Sequence, residues 1–360
     1  MVFSDSFERT RMAGASRTGK AFLLFGALCA GIAVLVSCGG GHERDTRLSV
    51  DKEGRTVVER YGNLQVRGTD LCASDGTPVQ LRGISSHGLQ YYGKYANRDV
   101  IQWLRDDWNA QLWRAAMYLG EGGYLSNRVI RNRVNDSVEA CIELGMYVIV
   151  DWHVLSDHDP SLHTEEAVEF FTDAARRWGN TPNVIYEICN EPNGSQVTWS
   201  GNIKPYAETV IAAIRAIDPD NLILVGTPTW SQDVDIAAED PLEMGPNIMY
   251  SLHFYAGSHG KELRAKAEKA LAAGLPLFVT EWGTTLNTGG GDIFPKESGE
   301  WLRWMQKRNI SWVNWSLNNK GEASSLLKYN ADRDAKGRWP LSDLSPSGIF
   351  IRKVLRNEMK

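Results

Sequence analysis

A closed (β/α)8 barrel with a short N-terminal hairpin is the fold this 360-residue sequence predicts, on three observations. Eight apolar, strand-like runs alternate with eight helical patterns, which leaves an open doubly wound sheet or a closed barrel. The number eight and the length of the segment from about Tyr61 onward favour the barrel. The first run continues as Arg82-Gly83-Ile84-Ser85-Ser86-His87-Gly88, without the GxGxxG turn that a dinucleotide-binding sheet needs there.

The elements follow in order. Residues 1–37 read as a signal segment, with Arg9, Arg11, Arg17 and Lys20 ahead of the apolar run Ala21 to Val36. That run is shorter than the roughly 20 residues a spanning helix wants. It ends in Leu35-Val36-Ser37-Cys38-Gly39, which resembles a bacterial lipobox with Cys38 as the lipidated residue. Residues 38–60, opening on Gly39-Gly40-Gly41, read as a flexible tether, and 61–360 as the barrel domain. Leu64–Val66 and Leu71–Ala73, split by Gly68-Thr69-Asp70, form a hairpin that can plug the barrel floor. Strands are expected at 79–84, 111–117, 147–151, 184–188, 222–225, 248–252, 277–280 and 312–315. Helices are expected at 98–108, 128–144, 165–178, 203–217, 232–238, 261–273, 296–307 and 346–356, with Gly274 and Pro276 marking one C-terminus.

A net charge of −5 with no basic run argues against nucleic acid as a partner. No CxxC or His/Cys ligand spacing calls for a metal or other cofactor, and Asp157-His158-Asp159 reads as a solvated turn. With Cys29 in the signal and Cys38 lipidated, Cys72, Cys141 and Cys189 remain, an odd number that leaves at least one free thiol. Cys189, inside an apolar strand, reads as a small buried hydrophobe. A monomer held at the bacterial cell envelope by its lipid, or else secreted, is the expected form.

Polar residues collect where the strands stop, the end at which barrel active sites lie. His87, Tyr91 and Tyr92 follow the first strand, and Arg114 and Tyr118 lie on the second. Asp151-Trp152-His153 end the third and Asn190-Glu191 the fourth. His253-Phe254-Tyr255 end the sixth, Glu281-Trp282 the seventh and Trp315 the eighth. A carboxylate closing a buried strand is costly to desolvate without a partner or a role. Two such acids, Glu191 and Glu281, facing one cleft suit glycosidic bond hydrolysis, which needs two carboxyl groups in different protonation states. Arg114 beside Glu281 would keep that acid ionised.

The chain resembles the endo-β-1,4-glucanases (cellulases) of glycoside hydrolase family 5, most closely the Bacillus-type bacterial branch. The matching stretches include Leu81 to Leu89, Arg114 to Tyr118, Val150 to His153, Val184 to Gly194, Gly226 to Val234, His253 to Gly257, Val279 to Thr284 and Ser311 to Leu317. That resemblance implies a retaining enzyme acting on internal bonds of β-1,4-glucan, with Glu191 as proton donor and later base and Glu281 as nucleophile. Asn190 would bind the 2-hydroxyl of the reacting sugar, Tyr255 would hydrogen-bond the nucleophile, and Arg114, His153 and His253 would complete the catalytic set. His87, Tyr92, Tyr118, Trp315, Lys320 and Glu322 match sugar-lining positions. Tyr91 stands where that branch usually has Trp, and the loop Leu286 to Gly291, with Asn287 and Thr288, also differs. Two alternatives stay open: a glycanase of the same fold acting on mannan, xylan, lichenan or xyloglucan, and a non-catalytic surface glycan-binding lipoprotein.

Overall fold

The computed structural model describes residues 47–331 and 334–359. Eight of the predicted runs pair in parallel and are buried on both faces along nearly their whole length, as strands of an all-parallel sheet are. They are β3 (Arg82–Ser86), β4 (Leu112–Tyr118), β5 (Tyr147–His153), β6 (Val184–Glu187), β7 (Ile223–Val225), β8 (Ile248–Tyr255), β9 (Leu277–Gly283) and β10 (Trp312–Leu317). The order β10-β3-β4-β5-β6-β7-β8-β9 closes on itself, so each of these eight strands is paired on both sides. The predicted hairpin is β1 (Gln65–Arg67) against β2 (Asp70–Cys72), antiparallel.

Alternation along the strands sorts side chains into two cores. On β5, Val148, Val150 and Trp152 face outward into the layer between strands and helices. Tyr147 and Ile149 face inward, where Leu112, Ile185, Leu224, Met249, Phe278 and Val313 meet them. Helices cover the outside with apolar stripes. Arg98–Trp108 starts at Asn97, whose side chain accepts from the Val100 amide, and ends at Asn109 in a left-handed conformation; Val100, Ile101, Leu104 and Trp108 form its buried face.

The stretch expected to be a tether up to residue 60 belongs to the fold from Arg47 onward. Helix Val57–Tyr61 is held by a capping box in which Thr56 and Glu59 exchange side-chain and backbone bonds. Val57 and Tyr61 join Leu64, Leu71, Ala73 and Val79 under the inward-facing floor residues. Ser49 donates to the Arg105 carbonyl at 2.6 Å. Apolar surface on the barrel floor recruits this segment, and its few hydrophobes are enough to cover it. Cys38 and the signal segment lie outside the described residues.

Strand β9 breaks strict alternation. Its register with β8 moves from Ser251↔Phe278 to His253↔Glu281, so β9 carries one extra residue there, and its pairing with β10 shifts over the same stretch. Phe278 and Thr280 face the barrel interior by alternation; the extra residue turns Glu281 inward as well. Trp282, expected near the mouth, is instead turned into the outer core against Phe254 and Trp312.

Candidate active site

Above the apolar floor, the next inward positions on the strands are polar and almost wholly buried. Arg114 of β4 sits at their centre. Its Nε donates to Glu187 at 2.6 Å, Nη1 to Glu281 at 3.0 Å, and Nη2 to the Asn190 amide oxygen at 2.6 Å. Asp151 lies 3.0 Å from Nη2. Burial alone would strip Arg114 of its charge, but Asp151, Glu187 and Glu281 outweigh that and raise its pKa. One cation cannot serve three acids equally. Burial works to raise Glu187, yet Arg114 and the nearby His253 hold it at about 2. Asp151, where burial dominates, is pushed well above the usual carboxylate range.

Glu281 is gripped at both oxygens: Oε2 by Arg114 at 3.0 Å and Oε1 by the Tyr255 hydroxyl at 2.7 Å. Two donors, one on each oxygen, fix its orientation. Glu191 takes a different hold, from His253 Nδ1 at 2.9 Å. The other His253 nitrogen meets Thr280 Oγ1 at 2.7 Å. Burial opposes a charge on His253, but Glu187 and Glu191 raise it to about 9, so both ring nitrogens donate at neutral pH. One oxygen each of Glu191 and Glu281 and a His253 nitrogen all lie within 4.8 Å of one another.

Asn190 is locked beneath Glu191. Its amide nitrogen donates to the Val154 carbonyl at 3.0 Å and lies 3.2 Å from His153 Nε2. That contact makes His153 Nε2 the acceptor and places its proton on Nδ1, 2.6 Å from Asp151. Burial and Arg114 press the His153 pKa down to about 3, in keeping with a neutral ring. His87, also lowered to about 3 by burial and Lys320, accepts the Gly88 amide at Nδ1.

These acids open into a cleft of about 940 Å³. Its lining contains His87, Tyr91, Tyr92, Tyr118, His153, Glu191, His253, Tyr255, Glu281, Asn287, Thr288, Trp315, Lys320 and Glu322, all of which the sequence had singled out. Arg114 and Asn190 lie beneath that surface instead. Trp315, Tyr118 and Ala116 form an apolar patch, with His153 stacked 4.1 Å from the Tyr118 ring and 5.4 Å from Trp315. Gly289, at φ +75°, lets the Asn287–Gly289 turn lie against Glu322, where a side chain would crowd the carboxylate. Sequence reading gave no role to Glu187, to Glu121 or to Trp230, which is 44% exposed in the cleft. Glu187 shares the inward parity of Ile185, which brings it to face Arg114.

A (β/α)8 barrel whose strand ends aim two carboxyl groups across an aromatic-lined cleft is the architecture of a glycoside hydrolase. Comparison with known proteins agrees. The profile described as cellulase (glycosyl hydrolase family 5) matches residues 72–321. Endoglucanase A of Evansella cellulosilytica is 50% identical over 308 residues, covering 86% of this chain and 62% of that protein. An endoglucanase of Clostridium saccharobutylicum is 51% identical over 295 residues, covering 82% and 65%. Among solved structures, the catalytic domain of Thermobifida fusca endoglucanase Cel5A superposes with a TM-score of 0.79 at 38% identity, covering 83% of this chain and 99% of that one. A variant of that domain has been solved in complex with cellotetraose. The chain belongs to glycosyl hydrolase family 5. It spans a little under two thirds of the length of the Evansella and Clostridium relatives.

Proposed function

We propose that this protein is an endo-acting β-1,4-glucanase that cleaves internal bonds with retention of anomeric configuration. One observation carries the mechanism: an oxygen of Glu191 and one of Glu281 lie within 4.8 Å, in keeping with the roughly 5–5.5 Å carboxyl spacing of retaining enzymes. Glu281, oriented by Arg114 and Tyr255, attacks the anomeric carbon and the glycosidic bond breaks as Glu191 gives its proton to the departing oxygen. Once Glu281 is esterified to the sugar its charge is gone. Glu191, left without its proton by the first step and hydrogen-bonded by His253, takes a proton from water, whose oxygen attacks the same carbon from the vacated side and breaks the ester bond to release Glu281.

Substrate class rests on the cleft walls and on the relatives. The walls carry Tyr91, Tyr92, Trp315 and Trp230, broad rings that suit the flat faces of an equatorial β-1,4 chain. Viscosity and new reducing ends, measured together on carboxymethyl cellulose and barley β-glucan, test the endo reading. A fast viscosity fall with few new ends supports it; ends that appear in step with free glucose defeat it.

Attachment through Cys38 is part of the same proposal, supported by the apolar run that stops at that residue. Cys38→Ser should free the protein from the membrane fraction; a variant that stays membrane-bound refutes the lipid anchor.

A further inference from the structure

Tyr329 belongs to no element of the site described above, yet it lies against the loop that carries two of the cleft's lining residues. It follows the loop after β10, and its side chain is 66% exposed. Its ring lies across Gly321, the residue between the cleft-lining Lys320 and Glu322. A Cβ at Gly321 would sit 3.2 Å from Tyr329 Cδ2, and φ there is +88°. Lys320 and Glu322 are themselves paired at 2.8 Å. Tyr92 lines the same cleft as Lys320 and Glu322.

The backbone under the ring is held. Asn319 Nδ2 donates to the Tyr329 carbonyl at 3.3 Å, and the neighbouring Lys328 amide donates to the Asp343 carbonyl at 2.8 Å. The Leu327 amide bonds the Asn318 carbonyl at 3.1 Å. An exposed aromatic on a pinned turn loses little freedom when a flat ligand lies on it, which is the condition for an inexpensive stacking contact.

The position of that turn fixes which end of a bound chain it can meet. Glu191 enters from the end of β6 and Trp230 from the loop after β7; Trp315 lies on β10 and Lys320 and Glu322 follow it, beside β9 and β3 and across the ring from those two. The proton donor stands on the leaving-group side, so the β10 side holds the sugars that remain on Glu281 after the first step. We propose that Tyr329 provides an outer stacking site for a glucosyl unit on that retained side, beyond the sugars held by Tyr92, Lys320 and Glu322. This rests on the β-glucanase reading.

The test uses 4-nitrophenyl β-cello-oligosaccharides with two to five glucose units, with kcat/KM read from nitrophenol release. For Tyr329→Ala, the two- and three-unit substrates should behave as with the unaltered protein. The longest should lose about threefold to tenfold in kcat/KM, the range one aromatic contact supplies, chiefly through KM. Tyr329→Phe should retain the advantage of the longest substrate, since the ring face and not the hydroxyl makes the contact. An equal loss at every length marks a structural role and overturns the proposal, as does no loss at five units. If the unaltered protein releases nitrophenol from none of them, the β-glucanase reading fails and this site falls with it.

Discussion

The two ends of the barrel interior are built from the same strands and differ by a single step along each. On β4 the inward series runs Leu112, Arg114, Ala116, Tyr118; on β5 it runs Tyr147, Ile149, Asp151, His153. Below that step Leu112, Ile149, Ile185 and Phe278 fill the space with hydrocarbon and are fully buried. Above it Arg114, Asp151, Glu187 and Glu281 fill similar space with charge. Each floor hydrophobe contributes about 1.5–3 kcal/mol by leaving water. A buried ion cluster gains little net stability, because desolvation offsets its attraction, though breaking it is expensive. The lower half therefore holds the barrel closed so that the upper half can be held in a geometry useful for chemistry.

The largest effect expected from separating the halves is on turnover. Glu281→Gln should reduce kcat by about 10⁴-fold or more while leaving the thermal midpoint near its original value, because one oxygen can still accept from Arg114. A large fall in stability with that substitution would mean that Glu281 holds the fold together. Azide separates the roles of the two acids: Glu281→Ala should yield an α-configured glycosyl azide and Glu191→Ala the β-configured product, and swapped products would reverse the assignment.

Arg114→Met should damage both halves together. It strands three acids and the Asn190 amide, for a loss of about 3–5 kcal/mol in denaturant unfolding as well as loss of activity. Ile149→Ala should lose a comparable 2–5 kcal/mol through a cavity in the floor, yet keep kcat within a few-fold of the starting value at temperatures where the variant stays folded. Activity lost in proportion to stability for Ile149→Ala would show that the halves are not separable.

The charged layer also sets a pH window. Glu187 lies at about 2 against an ordinary 4.5, so its contribution is complete above about 4.5 and is lost as pH falls through about 2. His253 lies at about 9 against an ordinary 6.5, so its contribution is complete below about 6.5 and is lost as pH rises through about 9. Thermal midpoints should therefore fall at both extremes, and Glu187→Gln should move the alkaline fall toward neutrality. An alkaline limb unmoved by that change would remove Glu187 as the partner of His253. The smallest effect belongs to the floor's edge: Thr56→Ala opens one capping box and should lower stability by about 1 kcal/mol with unchanged kinetics.

Legibility in the sequence follows the same division. Apolar runs and their spacing reveal the barrel, because burial on both faces leaves few positions for polar residues. The pair Glu191 and Glu281 was legible from motif and position, but the orientation of Glu281 was not. Strict alternation from Phe278 and Thr280 would point it outward, and only the extra residue in β9 brings it in. The same break sends Trp282 to the core. Glu187 went unnoticed because its function is to compensate an arginine on a different strand, a relation that local pattern does not contain. The segment from Arg47 to Arg60 looked like linker for its polarity, although Thr56 and Glu59 already spelled a helix start.

That segment has a consequence for the two ends of the barrel. The Arg47 carbonyl accepts from Arg82 at 2.8 Å and the Leu48 carbonyl from Gln111 at 3.2 Å, both at the N-terminal edge of the barrel. The chain therefore enters the domain at the pole antipodal to the cleft. Residues 47–60 thus occupy only the sealed pole and take nothing from the open mouth, where both acids lie.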